Sequence, residues 1–177
     1  MKLPKIAIVT VSDRASAGIY DDLSGPAVLE WLRTAVTSPF ELVCRLIPDG
    51  TASVSATLID LSDAEACDLI LVTGGTGPAP RDQTPEGLAQ VAERMLPGFG
   101  ESMRRANLAE VPTAILSRQD AATRGRSLII TLPGKPAAIA TSLSAVFSAV
   151  PYCMDLIGAA RITTDPTVVD AFRPKCH

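Results

Sequence analysis

The chain has 177 residues, of which 47% are apolar and only 4% aromatic, with a formal charge of −3. That is enough for one sizeable core and one domain over residues 1–177, and the many Ala, Val, Leu and Ile suit a sheet covered by helices on both faces. The balance offers no basic footprint for nucleic acid and no cationic cluster for a membrane surface.

Met1 to Lys5 lacks the apolar stretch of a signal peptide, so the expected compartment is the cytoplasm. Lys5 to Val11 then reads as a strand, followed by Ser12-Asp13-Arg14 and a polar loop through Gly18 and Asp21-Asp22. Ser24-Gly25-Pro26 opens a helix that faces a core with Val28, Leu29, Leu32, Ala35 and Val36. Phe40 to Ile47 is the next strand, closed by Pro48-Asp49-Gly50, and Val54, Leu58 and Leu61 mark the following helix.

Leu69 to Val72 is a short apolar run between sharp breaks, which predicts a buried strand. After Thr73 come Gly74-Gly75-Thr76-Gly77, where missing Cβ atoms free the backbone to approach a ligand. Beyond Arg81-Asp82-Gln83, Thr84 is suited to cap a helix carrying Leu88, Val91, Ala92 and Met95 on one face. Strand, glycine loop, acid and helix start in that order describe an anion site. The local sequence supports a tight crossover turn equally, because it matches neither the dinucleotide nor the P-loop fingerprint.

Glu101 to Leu108 is expected to be helical and Val111 to Leu116 a short strand ending in Ser117-Arg118. Leu128 to Leu132 is a strand ended by Pro133-Gly134-Lys135-Pro136. A helix from Ile139 to Val150 and a short one from Tyr152 to Ile157 follow. Pro136 to Met154 carries no charge, yet its apolar side chains fall on one face and predict a packed helix rather than a membrane span. The pattern as a whole predicts an α/β fold: a three-layer α/β/α domain with a mainly parallel central sheet.

Ligands of such sheets collect outside the carboxyl ends of the strands. Ser12-Asp13-Arg14, Asp49-Gly50, Gly74 to Asp82, Ser117-Arg118 and Pro133-Gly134-Lys135 all follow predicted strands. Carboxylates, arginines and helix-start amides together suit a nucleotide triphosphate with Mg²⁺. Taken singly, Asp49 is an ordinary turn residue, Asp82 a complement to a helix dipole, and Arg14, Arg81 and Arg118 are solvated charges. His177 is the one histidine, so a histidine-dependent triad is excluded. Cys44, Cys67, Cys153 and Cys176 lack metal-site spacing and are expected to be reduced, mostly buried thiols.

The string Ile8 to Gly18 resembles the bacterial molybdopterin adenylyltransferases, whose domain type also forms the G domain of gephyrin. So do Thr73-Gly74-Gly75-Thr76-Gly77-Pro78, Arg81-Asp82, Thr84-Pro85, Pro97-Gly98-Phe99-Gly100, Ser117-Arg118 and Leu132-Pro133-Gly134-Lys135-Pro136. The resemblance covers nearly the whole chain, with two departures. The connection after the Leu-Pro-Gly helix is shorter than in some relatives, and Lys135 occupies a variable place in its motif.

The resemblance implies adenylyl transfer from Mg-ATP to molybdopterin, releasing pyrophosphate, by a homotrimer in contact with the enzyme that inserts molybdate. It implies that Asp49 and Asp82 are catalytic and hold Mg²⁺. It further implies that Gly74, Gly75, Gly77, Pro133 and Gly134 help bind nucleotide and pterin. Ser12, Asp13, Thr73, Thr76, Arg81, Ser117, Arg118 and Lys135 join them as candidate binding residues by their place beside these motifs after the strands. A non-catalytic pterin-binding assembly module and a pyrophosphate-hydrolysing nucleotide enzyme are the competing readings.

Overall fold

The computed structural model describes residues 2–174, so Cys176 and His177 lie outside the described residues. A six-stranded sheet runs in the order β2-β1-β3-β6-β5-β4. Four of its strands are parallel: β1 (Lys5–Val11), β2 (Glu41–Ile47), β3 (Leu69–Thr73) and β6 (Ser127–Leu132). The edge pair β4 (Arg94–Met95) and β5 (Ala121–Arg124) is antiparallel. The expected mainly parallel sheet is therefore present, with an added antiparallel edge.

Alternation along the strands builds the layers, because successive side chains point to opposite faces. Ile6, Ile8, Leu69, Leu71, Leu128 and Ile130 bury on the face covered by α2 (Ser24–Ala35), α5 (Pro97–Leu108), α6 (Pro136–Val146) and α7 (Val150–Leu156). Ala7, Val9, Val11, Ile70, Val72 and Ile129 bury on the other, under α3 (Thr51–Ile59) and α4 (Thr84–Val91). A one-turn helix, α1 (Asp13–Ser16), follows β1 directly.

Several expected elements differ. Val111 to Leu116 is no strand: Pro112–Leu116 is a 3₁₀ turn, and Ile115 and Leu116 are exposed. Pro112 has no N–H to give a ladder, and none of these residues is buried against the core. The helix expected to reach Met95 ends at Val91, because Arg94 and Met95 pair with β5. The Ile139-to-Val150 helix is broken before Val150 into α6 and α7, bent by 60°. Among the described residues no single helix is long and apolar enough to cross a membrane. Of the three thiols among the described residues, Cys67 is buried, and burial pushes it up to about 11; Cys44 is exposed and Cys153 intermediate.

Asp68 fastens the end of the sheet opposite the carboxyl termini of the parallel strands. Its buried carboxylate accepts from Lys5 N at 2.9 Å and Ala160 N at 2.8 Å, joining the first strand to the C-terminal tail. Asp68→Ala orphans both amides and is expected to cost about 1–3 kcal/mol, readable as a lowered urea midpoint. An unchanged midpoint would show the clip to be dispensable.

Candidate active site

The order of the sheet reverses between β1 and β3: β2 lies outward of β1, and β6 lies beyond β3. Loops leaving β1, β2, β3 and β6 therefore rise on one rim around that crevice. Ser117-Arg118 reaches the same rim for a different reason. These residues precede β5, whose antiparallel course starts beside the carboxyl end of β6.

A cleft of about 290 Å³ opens there, lined by Ser12, Asp13, Asp49, Gly75, Arg81 and Asp82, together with Gly74 and Gly134. The two acids singled out in the sequence share this one cavity. Asp13 and Asp49 brace each other: Asp13 N donates to Asp49 Oδ2 at 2.9 Å and Asp49 N to Asp13 Oδ1 at 3.0 Å. Gln83 joins the Asp49 loop to the Asp82 loop, since its Oε1 accepts from both N and Oγ1 of Thr51 at 3.0 Å.

The glycine loop lets both carboxylates in. A Cβ on Gly75 would stand 3.1 Å from Asp49 Oδ1, and one on Gly77 would stand 2.6 Å from Asp82 Oδ2. A side chain at Gly77 would displace the Asp82 carboxylate, and one at Gly75 would collide with Thr84 Oγ1 at 2.4 Å as well as crowd Asp49. Gly75 N donates to no protein acceptor among the described residues, which leaves an amide for an anionic oxygen. Thr84, by contrast, does not cap a helix facing the cleft. It is fully buried, its hydroxyl donates to Gly74 O at 2.8 Å and its N–H to Gly75 O, so it locks the loop from beneath.

Asp13, Asp22, Asp49 and Asp82 outnumber Arg14 and Arg81 along the cleft. Partial burial raises the Asp49 carboxyl above its ordinary value; the neighbouring Asp13 and Asp82 charges add to this, while the Asp13 amide and Arg81 oppose it. Crowded carboxylates of this kind are relieved by a divalent cation. No group of three metal-ligating side chains occurs among the described residues. Two carboxylates without a full cage suit Mg²⁺, which fills its shell with water and phosphate oxygens.

Not every expected site residue lines this cleft. Thr76, Gly77, Ser117, Pro133 and Lys135 line an adjoining, mainly apolar pocket of about 240 Å³ that meets the cleft at Gly134. Ser117 Oγ and Gln119 Oε1 are buried there without a protein partner. Thr73 lines neither; its hydroxyl donates to Pro133 O at 2.8 Å and ties β3 to the Leu-Pro-Gly loop. Arg118 lines neither; its guanidinium lies on Gly77 O, Asp82 O and Glu86, and it borders with Asp82 a third, open pocket.

Three cleft residues escaped the sequence reading. Asp22 Oδ2 accepts from Thr10 Oγ1 at 2.7 Å while its Oδ1 takes the amides of Ser24 and Gly25. Asp22 is thus the cap of α2, and an Asp two residues before a helix start was the available signal. Tyr20 meets Ser12 Oγ at 3.0 Å and has the Arg14 guanidinium over its ring. Ser24 donates to Gly134 O at 2.7 Å and closes that wall.

Fold and cleft together define an α/β domain with a mainly parallel sheet and an acidic, glycine-floored cleft at its strand ends. Residues 7–152 match the family model described as a probable molybdopterin binding domain. The chain belongs to this molybdopterin-binding family. It is 50% identical to the molybdopterin adenylyltransferase of Haemophilus influenzae, over 98% of this chain and 94% of that protein. It is 49% identical to the protein of that name from Helicobacter pylori, over 99% of each. The solved molybdopterin biosynthesis enzyme MoaB from Thermus thermophilus superposes with a TM-score of 0.80 at 40% identity, covering 88% of this chain and 96% of that one.

Proposed function

We propose that the chain transfers the adenylyl group of ATP to molybdopterin: the terminal phosphate oxygen of the pterin attacks the α-phosphorus, and pyrophosphate leaves. The observation that carries this reading is the seating of Asp49 and Asp82 against one glycine loop within one cleft. Near full-length identity to two molybdopterin adenylyltransferases supports it.

Such transfers need alignment and charge neutralisation more than covalent help from the protein. Asp49 and Asp82 would hold Mg²⁺, which when bound neutralises charge on phosphoryl oxygens. The Gly75 amide, which has no protein acceptor among the described residues, would donate to a phosphate oxygen, and Arg81 would supply a positive charge at the rim. The adjoining pocket takes a flat heteroaromatic ring, with apolar walls for its faces and Ser117 and Gln119 for its polar edge. In this reading the enzyme is a cytoplasmic homotrimer that passes its product to the molybdate-inserting enzyme.

Incubation with molybdopterin and Mg-ATP should give adenylylated pterin and pyrophosphate in equal amounts. Pterin binding with no pyrophosphate would favour an assembly module, and hydrolysis of a nucleotide without pterin would favour a pyrophosphatase.

The raised Asp49 carboxyl has a consequence for stability. Its contribution is fully present below the ordinary value of 3.8 and is lost as pH rises through the raised one, so the ionised group weakens the fold at neutral pH. Asp49→Asn keeps an acceptor for Asp13 N but no charge. Without divalent cation at pH 7 it should melt above the parent, with the gap closing toward pH 4, while product formation falls. A variant that melts below the parent at pH 7 would contradict this.

A further inference from the structure

We propose that Arg118 is a positioning residue that holds Asp82 in register, rather than a ligand of substrate phosphate; the inference rests on the adenylyl-transfer reading of the cleft. Its main-chain N–H donates to Thr76 O at 2.8 Å. Its Nε donates to Gly77 O at 3.0 Å and its Nη2 to Asp82 O at 2.5 Å, while Nη1 pairs with Glu86 in the first turn of α4. All three guanidinium nitrogens thus face protein acceptors, and between them they grip both ends of the 77–82 loop.

That loop decides where the Asp82 carboxylate lies. Asp82 Oδ2 accepts from Ala79 N at 3.2 Å and rests in the space left by the missing Gly77 Cβ. If either end of the loop moves, the carboxylate moves with it. The segment that carries Arg118 is itself anchored, because Arg104 Nη1 on α5 donates to Gln119 O at 2.8 Å and Ser117 O at 3.4 Å. The path runs from α5 through residues 117–119, which border the second pocket, to the acid in the cleft. Arg118 stands where it couples the wall of one pocket to the floor of the other.

Three acceptors lying in different directions require the planar fork of arginine, and the single ammonium of lysine cannot reach them together. Arg118→Lys and Arg118→Ala should therefore both lower kcat, by roughly 10- to 100-fold, since a small misplacement of a reacting group has effects of that order. KM for ATP should stay within about 3-fold, because no substrate contact is lost. Glu86→Gln, which keeps the bonds to Gly77 and Asp82, should lie near the parent.

A direct role at phosphate predicts the opposite split, a raised KM for ATP with partial rescue by lysine, and that result would overturn the proposal. Hydrogen exchange supplies a readout that does not depend on turnover. Amides of residues 77–83 should exchange at least several-fold faster in Arg118→Lys, with those of β6 unchanged. Unchanged exchange over 77–83 would overturn the positioning role whatever the rates. A parent enzyme that forms no adenylylated pterin would instead sink the functional reading and leave the exchange result to judge Arg118.

Discussion

Asp82→Ala is expected to bind molybdopterin and yet form adenylylated product on the order of 10²–10³-fold more slowly, the loss typical of removing one preorganised charge stabiliser. The substitution removes the carboxylate from the edge of the glycine loop. It leaves in place the backbone carbonyl that Arg118 grips and the Gln83 link to Thr51. The loop therefore keeps its course, and the effect should fall on the chemical step rather than on pterin binding, which the proposed function gives to the apolar pocket beyond Gly134. The check is single-turnover formation of product alongside equilibrium binding of molybdopterin. Near-parent turnover would remove Asp82 from the reaction.

Gly74→Ala should show the largest loss of stability. Gly74 has a φ of +98°, and a Cβ there would stand 2.3 Å from Val11 O, a main-chain atom of the buried strand β1 that cannot swing aside. Backbone strain of this kind costs about 1–3 kcal/mol, and forcing atoms into a packed interior adds roughly as much again. The substitution should lower the urea midpoint sharply and displace the loop that carries Gly75 and Gly77. Gly18→Ala is the control. Its φ of +71° is also positive, but a Cβ there meets nothing within 4 Å, so only the strain remains. Equal losses in the two variants would show that contact with β1 is not what demands glycine at residue 74.

Much of this arrangement was legible in the sequence, because buried parallel strands are continuous apolar runs. Lys5 to Val11, Leu69 to Val72 and Leu128 to Leu132 announce themselves by that pattern, and their ends mark where the cleft must be. The β5 strand, Ala121–Arg124, was not legible. Two alanines, a threonine and an arginine carry little strand preference and owe their extended form to pairing with β6 across a turn at Gly125. The same blindness misread Val111 to Leu116, whose apolar residues look like a strand but face outward.

At the site, the acids and glycines could be found because a short loop after a strand has few places to go. The division of labour could not. Thr73, Thr84 and Arg118 have the chemistry of ligand contacts, and only their partners show that they also tie the loops to one another. Asp22 was hidden for the opposite reason: it read as one more residue of a polar loop ahead of the Ser24-Gly25-Pro26 helix start, although its carboxylate caps α2 at the edge of the cleft.

The central claim is that Asp49 and Asp82 act on the same phosphates as one unit, and a double-mutant comparison tests it most directly. Adenylyl-transfer rates of Asp49→Ala, Asp82→Ala and the pair should show the double variant losing little more than the worse single one, as groups that work together do. Losses that multiply would mean that the two acids serve separate tasks, and the shared site would have to be given up.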